Sequence, residues 1–308
     1  MRISLRALGM AAFAGSLVVG ASGCKVEGSA STPVRYNASD IIEEEAWGGG
    51  DVTVDGLYGN IEVVEGAADT VRVTFEPFHY WDPDEEEEAR QMLADHLQTV
   101  VEPDGDGVHI STGRSGGGSN GIGADITVEL PSNFAARLVV ENRSNGPIDP
   151  GNVRVRFVGE ATSVSVSTDS LGDCRIDGAP SVTQTTADCD GAVRISGVTD
   201  NVDITTTGLE TAVSVDLTVA SVSAESGGGT INSEDGDVNL TFPATGDYSI
   251  LALTNEGVIN EGSLPESCTV EAAEERSKTI TCGAGGPQYH VNACRDGVGE
   301  CIVNIQYQ

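Results

Sequence analysis

The side chains in this sequence best placed to do chemistry are carboxylates. Asp188 and Asp190 flank Cys189, and Asp200 and Asp203 follow one strand pair later. Two carboxylates about 5–10 Å apart act as acid and base in glycoside cleavage, which makes a polysaccharide hydrolase or lyase one reading. Turn aspartates also have a plainer use, because their side chains bond the local backbone. A lyase needs cations to hold an acidic sugar and its developing negative charge, and no Lys or Arg lies between Arg194 and Arg276. The four histidines, His79, His96, His109 and His290, are scattered, and no nucleophilic triad emerges from them. His96 falls on a helical apolar stripe, where packing is the simpler role. No catalytic residue is assigned.

Three turns, Asp104-Gly-Asp106-Gly, Asp188-Cys-Asp190-Gly and Glu234-Asp235-Gly-Asp237, offer the oxygen ligands that calcium takes. None has EF-hand spacing, and Asn120-Gly-Ile-Gly-Ala-Asp125 is a lone nonapeptide-like copy where tandem copies are needed. They read as solvated turns, so neither a metal nor a cofactor is expected. For binding, Phe75, Phe78, Tyr80 and Trp81 crowd into seven residues. Aromatic faces stack on sugars or anchor proteins, so Phe78, Tyr80 and Trp81 are the candidate ligand contacts. Packing a helix against a sheet is their competing role. The next run, Asp82 to Glu88, places six acids in seven residues. It suits a helix start favoured by the dipole, or a site for a cation or a basic partner.

Charge bounds the partners. The chain has 308 residues, 16 Lys and Arg against 48 Asp and Glu, and a formal net charge of −32. Nucleic acid is excluded as a partner, because phosphate binding needs clustered cations. Residues 1–23 have the form of an export signal: Arg2 and Arg6, an uncharged run from Ala7 to Gly20, then small residues before Cys24. Ala21-Ser22-Gly23-Cys24 resembles the lipobox of bacterial lipoproteins, with Ala21 where that family favours Leu. The resemblance implies cleavage before a diacylated Cys24 and an exported lipoprotein of the bacterial cell envelope, held at the outer membrane. Cleavage removes Arg2 and Arg6 and leaves 14 cations against 48 acids, or −34. From Ile195 to Glu275 there are 15 acids and no Lys or Arg. That field favours neutral glycans, cations or a basic protein over polyanions.

Six cysteines then remain: Cys174, Cys189, Cys268, Cys282, Cys294 and Cys301. An even number in an exported chain indicates disulfides, with 15 possible pairings. Pairing of nearest neighbours (174–189, 268–282, 294–301) is the working assignment. Zinc is disfavoured, because no Cys-x-x-Cys occurs.

These residues need elements to position them. Residues 24–50 read as the lipidated Cys and a flexible tether, short-sided and polar. From Asp51, apolar residues alternate with polar ones in short strands. One helix near 84–98 interrupts, with Asp84 as its cap and Ala89, Met92, Leu93 and Leu97 as its stripe. Triplets beginning at Val164, Val182, Val202, Val222, Val238 and Val258 recur every 16–20 residues. A second series at Cys174, Val193, Val213, Ile231 and Tyr248 lies between them. Two strands per unit of about 20 residues predicts an all-β, β-helix-like solenoid over 51–262. A sandwich of hairpins is the alternative. Residues 263–308, with four cysteines, read as a disulfide-stapled cap.

Gly59-Asn60-Ile61-Glu62-Val63 and Asp125-Ile126-Thr127-Val128-Glu129-Leu130-Pro131 resemble the bacterial β-strand-repeat domains of the adhesin, or auto-transporter adhesin head, type. The resemblance spans roughly Asp51 to Gly262. It implies a stack of short rungs and no catalytic residues. The expected function is a lipid-anchored envelope protein acting as a non-catalytic, adhesin-like binding or structural module, with a polysaccharide-processing enzyme as the alternative.

Overall fold

The computed structural model describes residues 34–81, 86–116, 121–143, 151–169, 172–178, 182–207, 214–223, 225–294 and 300–308. The export signal, Cys24 and residues 25–33 lie outside the described residues, as do Asp82 to Glu85 and the side chain of Trp81.

Alternation of Val and Ile with polar residues makes strands that bury one face, and here it makes nearly everything. The N-terminal part holds β1 (Val34–Asn37), β2 (Ile41–Ala46), β3 (Val52–Gly56), β4 (Ile61–Glu65) and β5 (Thr70–Trp81). Then come α1 (Glu86–His96), β6 (Leu97–Asp104), β7 (Gly107–Arg114) and β8 (Ile122–Leu130). A regular series follows: β9 (Arg137–Asn142), β10 (Val153–Val155), β11 (Ser163–Thr168), β12 (Cys174–Ile176), β13 (Gln184–Cys189), β14 (Val193–Val198), β15 (Asn201–Thr206), β16 (Val215–Val219), β17 (Gly228–Ser233) and β18 (Val238–Phe242). The last part holds β19 (Tyr248–Thr254), β20 (Gly257–Glu261), β21 (Cys268–Glu274), β22 (Ser277–Cys282), β23 (Gln288–Ala293) and β24 (Cys301–Tyr307).

The strands form two twelve-stranded sheets. The first runs β1-β5-β8-β4-β10-β12-β14-β16-β18-β24-β20, with β2 also on β5. The second runs β21-β22-β19-β23-β17-β15-β13-β11-β9-β3-β7-β6. From β9 to β18 the chain alternates between sheets, and each strand pairs in parallel with the strand two places on. Inward side chains therefore stack in columns. Ile61, Val153, Cys174, Val193, Val215, Val238 and Val303 form one such column, all within 2% exposure. Each fully buried Val or Ile stabilises by about 1.5–3 kcal/mol.

A second column is polar. Asn142, Thr168, Cys189, Thr206 and Ser233 stand in register at the ends of second-sheet strands, all buried. Several hold the adjoining turn. Thr168 Oγ1 donates to the Gly172 carbonyl at 3.2 Å, and Ser233 Oγ to that of Gly236 at 3.1 Å. Asn142 Nδ2 donates to the Gly59 and Gly151 carbonyls. Cys189 takes the same place with a covalent bond, to Cys174. Cys268 pairs with Cys282 and Cys294 with Cys301, so all three disulfides join nearest neighbours.

Four expectations change. Residues 34–46 are not tether but strand, because β5 is 12 residues long and its edge takes both β1 and β2 antiparallel; an open edge recruits even a polar segment. Leu97 opens β6 rather than ending the helix. Val222 and Ser223 lie in a connection, and the second-sheet strand starts at Gly228. The two sequence series consequently exchange sheets beyond Val202: Ile231 joins the second sheet, and Val238 and Val258 the first. Finally, the C-terminal segment closes an end only through the β21–β22 hairpin. β23 inserts between β17 and β19, and β24 between β18 and β20. Its Val303 and Ile305 face the same interior as Val238 and Leu240. Sequence order hides this, since successive strands are neighbours only about two-thirds of the time.

Candidate functional site

Outward side chains of the second sheet make a trough. One hollow of about 490 Å³ crosses β13, β15, β17 and β23, lined by Gln184, Asn201, Asp203, Thr230, Gln288 and His290 over Gly227–Gly229. A second, of about 390 Å³, shares Gln288 and His290 and continues to Ser249, Leu251, Thr279 and Thr281. Parallel register sets the row: Asp203, Thr230, His290, Leu251 and Thr279 are consecutive cross-strand partners. Glycine is required under it. Gly228 has φ +83°, and a Cβ on Gly229 would strike the Val202 carbonyl. The lining is hydroxyl, amide, imidazole and one carboxylate, with Leu251 as an apolar exception. Asp203 Oδ1 accepts from the Thr230 N–H at 3.3 Å.

The opposite wall is a different surface. Arg154, Arg175 and Arg194 stack in register, followed by Asp216, Asn239, Asn304 and Asn260. The cations are matched locally: Arg154 and Arg175 to Asp177, Arg194 to Asp216, and Arg156 to Glu62 at 2.6 Å. Asn260 donates to Asn304, Asn304 to Asn239 and Asn239 to Asp216, each through Nδ2.

Most of the acids that stand out in the sequence bind neighbouring strand pairs. Asp200 Oδ1 accepts from the Gly227 N–H at 3.2 Å, and Asp190 Oδ1 accepts from the Thr207 hydroxyl. Asp237 Oδ1 accepts from the Ile302 N–H, and Asp125 Oδ1 from that of Asn60, each at 2.7 Å. Asp125 also pairs with Arg35. Asp188 is different. It reaches solvent, yet partial burial and the nearby Asp190 and Asp169 raise its carboxyl above the usual range. Asp55 is likewise raised, first by burial; Arg143 at 3.0 Å opposes this and Glu141 adds to it. Asp235 approaches the Cys294 and Cys301 sulfurs, but a disulfide has no thiolate to give a metal.

The candidate aromatic contacts divide. Phe78 is 1% exposed and contacts Tyr80 edge-on at 5.6 Å, with the Arg35 guanidinium 3.9 Å above its ring. Gly123 leaves room for that ring, since a Cβ there would lie 2.8 Å from Phe78 Cζ. Phe78 therefore has no open face for a ligand, contrary to the expectation, and Tyr80 is half-buried. His79 is fully buried, which lowers its pKa.

Gly113-Arg114-Ser115-Gly116-Gly117 has the spacing of a serine-hydrolase elbow, and Ser115 does lie beside His96. Ser115 Oγ donates to the Asp95 carbonyl at 3.1 Å, however, and His96 Nδ1 to the Ser115 carbonyl at 2.7 Å. The Ser115 hydroxyl proton is committed to backbone and not to His96, and Gly113 and Arg114 are the last residues of a second-sheet strand. Of the trough residues only Asp203 and His290 stand out in the sequence, and nothing there brings them together. Gln184, Gln288 and His290 are separated by up to 106 positions and meet only because β23 intercalates.

No protein-family model matches the chain, and no curated protein matches it in sequence. Among solved structures it is similar to a candidate cell adhesion protein from Clostridium sporogenes, with a TM-score of 0.32, 11% identity, and 88% of this chain and 100% of that one covered. It is also similar to a candidate adhesin from Parabacteroides distasonis, with a TM-score of 0.38, 9% identity, and coverage of 86% and 97%. A candidate lipid-binding protein from the same organism follows at 0.22 and 11%, with coverage of 86% and 96%.

Proposed function

We propose that this protein is a non-catalytic binding module of the bacterial cell envelope, exported and anchored in the membrane through an acylated Cys24. On this reading its two walls are the faces of a β-solenoid, and the second-sheet trough holds an extended neutral glycan. The trough is the observation that carries the proposal. Hydroxyls, amides and one imidazole recur across it at the strand spacing of about 4.8 Å, so a regular chain meets a donor or acceptor at most steps, with Leu251 the apolar break. Its lining includes Asp203 but no Lys or Arg, and the surrounding acidity disfavours polyanions, nucleic acid included. No cofactor, metal ion or catalytic residue belongs to this reading.

A glycan array probed with the wild type and with Thr230→Arg and His290→Ala tests it. Retention of neutral polysaccharides, weakened about tenfold or more in both variants, supports the proposal. Unchanged retention by both variants moves the ligand off the trough.

A further inference from the structure

At the end of the sheets opposite β20 and β21, α1 stands on β5 with little of its surface covered. Glu86 to Glu88 favour its start, but only Ala89 and Leu93 are buried. Between the helix and strands β1, β2 and β6 remains a hollow of about 430 Å³, with Tyr36, Ile41, Pro77, Leu93 and Leu97 as its apolar lining. The surrounding strands expose apolar side chains as well. Among the described residues seven large ones are exposed, and four, Val34, Ile41, Ile42 and Val100, stand on β1, β2 and β6, whereas strands β7 to β18 expose none. Ile41 lines the hollow itself, whereas Ile42 and Val100 alternate with the lining residues Ile41 and Thr99 and face the other way. An open apolar hollow of this kind marks an interaction surface.

The rim tells what covers it. Residues 34–46 and 86–104 carry ten acids against two arginines. Both arginines are engaged: Arg35 by Asp125, and Arg90 by Glu86 at 3.3 Å and Glu87 at 3.5 Å. Those glutamates remain 66% and 89% exposed. Arg90 is the one charged residue in the lining and is already held by Glu86 and Glu87. An apolar floor beside these exposed carboxylates, on elements this rich in acids, complements Leu or Phe side chains flanked by Lys or Arg. A fatty-acid carboxylate or an anionic lipid would meet repulsion there, and an uncharged lipid would gain nothing from the rim.

We infer that the hollow between α1, β1, β2 and β6 is a docking site for a basic amphipathic segment of a partner protein. This is independent of the glycan trough, which lies on other strands.

The test uses the full mature chain with Cys24→Ser and a fluorescein-labelled synthetic helix of Leu and Lys, the leucines placed at i, i+3 and i+4. Its scrambled isomer has the same charge, and phosphatidylcholine vesicles serve as the lipid arm. The ordered peptide should bind at least about tenfold more tightly than the isomer. Ile41→Ser, on an exposed edge strand, and Glu86→Lys with Glu87→Lys should each weaken it about tenfold. Binding should weaken as salt rises, and amide exchange should slow at residues 36–41 and 86–97. Equal binding of the two peptides overturns the proposal, as does indifference to both variants. So does exchange protection confined to other strands, or binding of vesicles without binding of peptide.

Discussion

Asn239 Nδ2 donates to Asp216 Oδ1 at 2.9 Å, and this bond joins two unlike halves of the first-sheet wall. On one side Arg194 reaches the same carboxylate through Nε and Nη2. On the other, the asparagine ladder passes its amide hydrogens in one direction, from Asn260 to Asn304 to Asn239. Asp216 is the acceptor at which Arg194 and the asparagine ladder meet.

Asp216→Ala should therefore disturb more than one contact. Hydrogen bonds to a charged group contribute about 1.5–3 kcal/mol when buried, but Arg194 is 58% exposed, so solvent reduces this to about 1 kcal/mol. Asp216→Asn keeps one carbonyl oxygen for the ladder and should lose less. Urea midpoints in the order wild type, Asn, Ala check this; equal midpoints for all three would show that the junction contributes nothing.

Thr185 occupies the inward column between Val164 and Val202, is fully buried, and its hydroxyl has no partner among the described residues. A buried unpaired hydroxyl costs about 1–3 kcal/mol. Thr185→Val keeps the shape and removes that cost, so the variant should be more stable by about 1 kcal/mol in chemical denaturation. A loss of stability would mean that the hydroxyl is satisfied in solution.

The free edge of the first sheet is covered from the side. Lys278 Nζ donates to the Ile259 carbonyl at 2.8 Å and also to the Glu261 carboxylate, while Arg276 Nη1 donates to the Asn255 carbonyl at 2.6 Å. Lysines at sheet edges block pairing with another chain. The Lys278 ammonium lowers the Glu261 pKa. Because that value is lower folded than unfolded, the stabilisation is present above the ordinary carboxylate pKa and is lost as pH falls through the lowered one. Glu261→Gln should flatten the acid side of the stability curve, and Lys278→Met should cause concentration-dependent association seen in sedimentation. A monomeric Lys278→Met with an unchanged acid limb would contradict this role.

How much of the molecule is legible in its sequence depends on the range of the pairing involved. Strand period, the helix at 86–96 and nearest-neighbour disulfides follow from local pattern, because each is set within about 15 residues. Val222 misleads because its alternation matches a strand, whereas the sheet uses Gly228 and Gly229, whose composition reads as a turn. β23 and β24 mislead for a topological reason: nothing in Gln288–Ala293 or Cys301–Tyr307 says which earlier strands they will separate. The trough inherits that blindness, since His290 is placed beside Thr230 only by the insertion. Phe78 misleads through its neighbours, Arg35 and Gly123, which come from distant positions to cover and seat its ring.

Anchoring has its own test. Labelled palmitate should enter the wild type in a bacterial host and fail to enter Cys24→Ser. Equal labelling of the two would remove Cys24 as the acylation site and with it the proposed tethering to the membrane.

The central claim is binding without turnover, and one paired assay addresses it: neutral polysaccharides incubated with the protein, with retained polymer and newly formed reducing ends measured on the same samples. The account predicts polymer retained by the wild type, retention lost in Thr230→Arg, and no reducing ends above the buffer control. Reducing ends that accumulate with wild-type protein would contradict it and make the wall of Asp188 and Asp203 the place to look for an acid and a base.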